Sequence, residues 1–68
     1  MLVMAKRKLV NRVAQTLFEQ GFVYDAERDG ERVIIHNELS GESVVRWRDI
    51  DRDFEVIEDW DIPVPTIA

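Results

Sequence analysis

The chain has 68 residues, 46% of them hydrophobic and 34% charged, with no cysteine and a formal net charge of −5. A chain this short buries only about 60% of the surface its unfolded form exposes, which leaves one thin core and little room for an enclosed active-site cavity. The lack of cysteine excludes disulfides, thiolate metal sites and a cysteine nucleophile, and fits a cytoplasmic location.

The opening apolar run, Met1 to Ala5, is five residues long and is followed by bases, so it predicts neither a signal peptide nor a membrane span. Leu9, Val10, Val13, Ala14, Leu17 and Phe18 then recur at helical spacing among Lys6, Arg7, Lys8, Asn11, Arg12, Gln15, Thr16 and Glu19. The spacing predicts an amphipathic helix over residues 4–20, closed by Gly21, with Phe22 folding back on its last turn.

Beyond Gly21 the period changes to two. Phe22, Tyr24 and Ala26 alternate with Val23, Asp25 and Glu27, a half-buried strand pattern. Asp29-Gly30 supplies a type I′ hairpin turn, and the returning strand sets Val33 and Ile35 on one face and Ile34 and His36 on the other. "NELSG" reads as a loop, and Ser43, Val45 and Trp47 share a face of a third strand. Asp49, Asp51 and Asp53 suit a connecting turn, and the β-branched Val56 and Ile57 favour a fourth strand at 54–58 over a second helix. Pro63 and Pro65 mark an extended tail.

The predicted fold class is therefore α+β: an N-terminal amphipathic helix packed on a three- or four-stranded antiparallel β-meander. The expected organisation is a single α+β domain over residues 1–61 and a proline-containing C-terminal tail over 62–68.

Chemistry-bearing patterns are sparse. Asp49, Asp51 and Asp53 match the first ligand positions of a helix-loop-helix calcium loop, but Phe54 stands where glycine is required and Trp60 where the closing glutamate belongs. Asp25, Glu27 and Asp29 fail the same test, because His36 occupies the closing position. His36 is the single histidine, and neither Ser40 nor Ser43 lies in a nucleophile-elbow pattern. Gly21, Gly30 and Gly41 are isolated and form no phosphate loop. The expectation is a protein without enzymatic activity, metal or cofactor.

Charge is unevenly spread. Lys6, Arg7, Lys8 and Arg12 against Glu19 give residues 1–20 a local +3, whereas seven carboxylates against Arg52 give residues 49–61 a local −6. Trp47, Asp51, Asp53, Phe54, Glu55 and Trp60 are the expected partner-binding residues, joining hot-spot aromatics to acids. The expected partner is a protein with a basic surface, such as a nucleic-acid-binding protein for whose groove this domain competes as inhibitor or adaptor. The competing reading makes the same acids a charged sheet edge that prevents aggregation.

The alternative is a nucleic-acid module on Lys6, Arg7, Lys8, Arg12, Arg46 and Arg48, with Trp47 between two arginines as a stacking platform. Net acidity disfavours it. A sheet with one open face also allows a homo-oligomer, with the basic segment of one copy against the acidic segment of another. No membrane partner is expected.

Overall fold

The computed structural model describes residues 1–58. Within them the chain is antiparallel β: β1 (Leu2–Ala5), β2 (Leu9–Val10), β3 (Thr16–Phe18), β4 (Val23–Asp29), β5 (Arg32–His36), β6 (Glu42–Arg46) and β7 (Phe54–Glu58). The one helical segment runs from a 3₁₀ turn at Trp47–Asp49 into the single α-turn α1 (Ile50–Asp53). Five strands form one sheet in the order β6-β5-β4-β1-β7, and β2 pairs with β3 as a separate hairpin.

The N-terminal helix is thus overturned. Residues 4–20 hold the end of β1 and the β2–β3 hairpin. Val10 and Val13, counted as part of a helical stripe, are exposed, while Met1, Val3 and Ala5 alternate into the core. The hairpin tip explains why a helix fails locally. The Asn11 side chain accepts hydrogen bonds from the Val13 and Gln15 amides, and Ala14 takes a positive φ of 62°, which breaks a helix. Strand β1 is fixed from a distance: Val3 lies opposite Tyr24 on one side and Val56 on the other. The meander of three or four strands becomes a five-stranded sheet because this segment enters it.

Two turns also differ from expectation. Asp29 pairs with Arg32, so the β4–β5 turn is Gly30-Glu31, and only Gly30 has positive φ. That is the pattern of a type II′ turn, with glycine first, and not of type I′. Gly21 caps no helix. At φ 81° it is the third residue of the turn Glu19–Phe22, where the Phe22 amide donates to the Glu19 carbonyl, and its own amide donates to the Ala5 carbonyl. The stretch at 49–53, expected as a turn, is mostly helical, whereas β7 falls on residues 54–58, where alternation predicts a strand.

The core comprises Met1, Val3, Ala5, Phe18, Ala26, Val33, Ile35, Ile50 and Phe54. Val45 from edge strand β6 and Val56 from edge strand β7 pack against this same cluster. Flat strands at about 4.8 Å spacing would hold the two edges too far apart, so the sheet curls around the core. The segment 47–53 links the two edges and drives Ile50 into the core, while Phe18 brings in the hairpin and meets Tyr24 and Phe54 edge to face at 4.8 and 5.1 Å. Each of the larger buried side chains, Val3, Phe18, Val33, Ile35, Ile50 and Phe54, contributes about 1.5–3 kcal/mol.

Candidate interaction surface

Alternation sorts most of the five-stranded sheet into a core face and a solvent face, except that Ile57 and Glu58 are both exposed where β7 pairs irregularly with β1. On β4, Tyr24, Ala26 and Arg28 turn inward and Asp25, Glu27 and Asp29 turn to solvent. The register then places side chains in rows across the outer face. Glu55, Met4 and Val23 form one row, Glu27, Ile34 and Val44 a second, and Asp29, Arg32 and Arg46 a third. Val23 and Val44 are 50% and 54% exposed, so apolar surface stands in solvent, Val23 next to Asp25 on its face and Val44 between Glu42 and Arg46.

The expected partner-binding residues are divided among different environments. Phe54 is 1% exposed and belongs to the core, so it is not a surface contact. Trp47 is half-buried, and the Arg28 guanidinium lies 3.9 Å over its ring, which occupies one face of the indole. Asp51 is exposed, and Glu55 lies on the outer face of β7. Asp53 is held by Arg7, whose Nε and Nη2 both approach Oδ1 at 2.7 Å. Trp60 lies outside the described residues.

The basic residues are divided as well. The Lys6 amide donates to the Asp53 carbonyl, and its ammonium donates to the Asp51 carbonyl at 2.6 Å. The basic segment after β1 therefore sits on the acidic α-turn of its own chain, which neutralises part of both. Arg48 pairs with Glu31 and Arg52 with Asp49, each at 3.6 Å. Lys8 and Arg12 are exposed, Arg12 at the β2–β3 tip. Arg46 lies directly opposite Arg32, a like-charged cross-strand pair.

Asp49, Asp51 and Asp53 do not converge, since Asp49 turns to Arg52 and Asp53 to Arg7. Among the described residues no group of three or more metal-ligating side chains gathers. His36 lies on the solvent face opposite Glu42, while Ser43 lies on the inner face and its Oγ accepts from the Asn37 side chain. His36 and Ser43 therefore stand on opposite faces of the sheet. Among the described residues no helix is long and apolar enough to cross a membrane.

No family model matches the chain, and neither the curated proteins nor the solved structures compared with it give a match.

Sequence reasoning missed the outer face. Leu2 and Met4 fall in an apolar start and an expected helix, yet they stand on that face between β4 and the edge strand β7. No change of residue type marks this strand, because Met1 to Ala5 are all apolar; only their burial alternates, and the pairing with β4 and β7 sets it.

One further polar cluster ties loops together. The Tyr24 hydroxyl accepts from the Glu19 amide at 2.7 Å and donates to Glu38 at 3.1 Å, and the Glu38 amide donates to the Leu17 carbonyl. Burial raises the Tyr24 phenol above its ordinary value of 10.0. The Glu19 amide opposes that rise, while the hydrogen bond to Glu38 and the charges of Glu38 and Glu19 add to it.

Proposed function

We propose that this chain is a small non-enzymatic interaction domain that binds another protein through the solvent face of its sheet. The observation that carries the reading is the half-exposed Val23 and Val44 set in rows with Glu55, Met4, Glu27 and Ile34. Apolar side chains in solvent supply association energy, and the acids beside them select a partner with basic residues around an apolar patch. The partner class is a protein with a basic surface, with Glu55 retained from the acidic segment and Asp25 and Glu27 added, while Asp51 stands on α1 and not on a strand of that face. Inhibition or adaptor activity by competition for that basic surface follows from the same chemistry.

The nucleic-acid alternative draws less support. Of its six bases, Lys6 and Arg7 engage the acidic turn and Arg48 engages Glu31.

The reading is tested by titrating the isotope-labelled full chain with a synthetic peptide that alternates lysine and leucine, and separately with duplex DNA, both at low salt. The expected result is amide shifts at Met4, Val23, Glu27 and Ile34 with the peptide, weakened about tenfold by the double variant E27K and E55K. Shifts with DNA centred on Lys8, Arg12 and Arg46, or no response to the peptide, overturn it.

A further inference from the structure

We infer that two copies of this chain associate edge to edge through β6, antiparallel about a two-fold axis at Val44, to give one continuous ten-stranded sheet. The inference shares Ile34 and Val44 with the proposed surface, but it is carried by the unpaired backbone groups of the β6 edge and stands or falls without a basic partner.

The first support is the direction of the backbone groups. The Trp47 amide donates to the Glu31 carbonyl and the Asn37 amide to the Gly41 carbonyl, at the two ends of the β5–β6 ladder. Hydrogen-bonded pairs alternate along an antiparallel ladder, so Ser43 and Val45 also turn their backbone groups toward β5. Glu42, Val44 and Arg46 turn theirs to the open edge, and among the described residues no strand pairs there. These three residues hold the spacing that a second strand needs.

The second support is the sequence of the strand, Glu42-Ser43-Val44-Val45-Arg46. An antiparallel partner centred on Val44 sets Val44 against Val44 of the second copy, Glu42 against its Arg46 and Arg46 against its Glu42. Each of those pairs exchanges two backbone hydrogen bonds, and the outer pairs join opposite charges. A strand shifted by two residues would lose the charge match, so the register is selected by the side chains.

The third support is what each chain lacks. Arg46 faces Arg32 across its own ladder, and neither Arg46 nor Glu42 has an ion pair among the described residues. In the dimer a glutamate of the second copy completes the row that begins Asp29, Arg32, Arg46. Val44 is 54% exposed beside Ile34, and the two-fold axis would join Ile34 and Val44 of both copies into one apolar strip. An exposed edge without a proline or an inward charge is the kind that invites pairing.

The test is sedimentation of the full chain over a concentration series, with circular dichroism as the folding control. Reversible dimerisation is expected. E42R alone and R46E alone each set like charges across the axis and are expected to raise the dimer Kd about tenfold, while E42R combined with R46E restores it. V44P removes an amide that points to the open edge, not to β5, and is expected to leave a folded monomer. A wild-type chain that stays monomeric up to about 1 mM overturns the inference, as does a dimer unmoved by the single charge reversals or not rescued by the swap.

Discussion

Asn11 and Asn37 organise two hairpin loops by accepting hydrogen bonds in the same pattern. In each, the side-chain oxygen accepts from the amides two and four residues on: Val13 and Gln15 for Asn11, Leu39 and Gly41 for Asn37, all at 3.0–3.1 Å. In each, the asparagine amide donates to the fifth residue's carbonyl, and the fourth residue, Ala14 or Ser40, has φ 62°. The loops Asn11–Gln15 and Asn37–Gly41 share no sequence beyond the asparagine, so that side chain is what specifies the conformation.

Each asparagine replaced by alanine should therefore cost about 1–2 kcal/mol, since two amides lose their acceptor. The substitutions Ala14→Gly and Ser40→Gly should act in the opposite direction by about 0.5–1 kcal/mol, because a side chain is strained at positive φ. Urea denaturation of the four variants checks both signs.

Phe54→Ala should cost about 3–5 kcal/mol, comparable to the whole stability of so small a domain, and yield an unfolded or partly folded chain. Glu55→Gln, one residue away on the outer face, should stay within about 0.5 kcal/mol of wild type. Thermal melts followed by circular dichroism distinguish these, and a normally folded Phe54→Ala would return Phe54 to the surface.

Removal of the guanidinium over Trp47 by Arg28→Ala should destabilise by about 1 kcal/mol, a few degrees in melting temperature, and expose the indole. Arg28→Met keeps the aliphatic stem and removes the charge over the ring together with the hydrogen bond from Nε to the Gly30 carbonyl. The check is the melting temperature together with the tryptophan emission, read in a Trp60→Phe background so that one indole reports.

Stability should fall on the alkaline side through Tyr24. Its folded pKa is raised above 10.0, so the folded state holds the proton more tightly than the unfolded state. The contribution is complete below the unfolded value of about 10 and is lost as pH rises from there through the folded value. Denaturation of wild type and Tyr24→Phe across this range should show a steeper decline in wild type; parallel curves contradict the linkage.

The Arg7–Asp53 contact joins a largely exposed guanidinium to a carboxylate that is 22% exposed. A double-mutant cycle with Arg7→Ala and Asp53→Asn should return a coupling of about 0.2–1 kcal/mol, reduced in high salt. A coupling that salt does not touch would mean that the pair acts through packing.

The sequence by itself determined the alternation of β5, with Val33 and Ile35 sharing a face, the strand at 54–58 and the separation of basic and acidic segments. These are properties of neighbours in the chain, and a period of two is visible wherever one face of a strand is buried. Only the tertiary structure decided the first twenty residues. Leu9, Val10, Val13 and Leu17 fit a helical period, yet the backbone groups of β1 find their partners in β4 and β7, far along the chain, and local spacing carries no record of that pairing. The same distance decided the surfaces. Arg7 meets Asp53 because β1 lies beside β7, and Phe54 is core because its place in that register, opposite Ala5, faces inward.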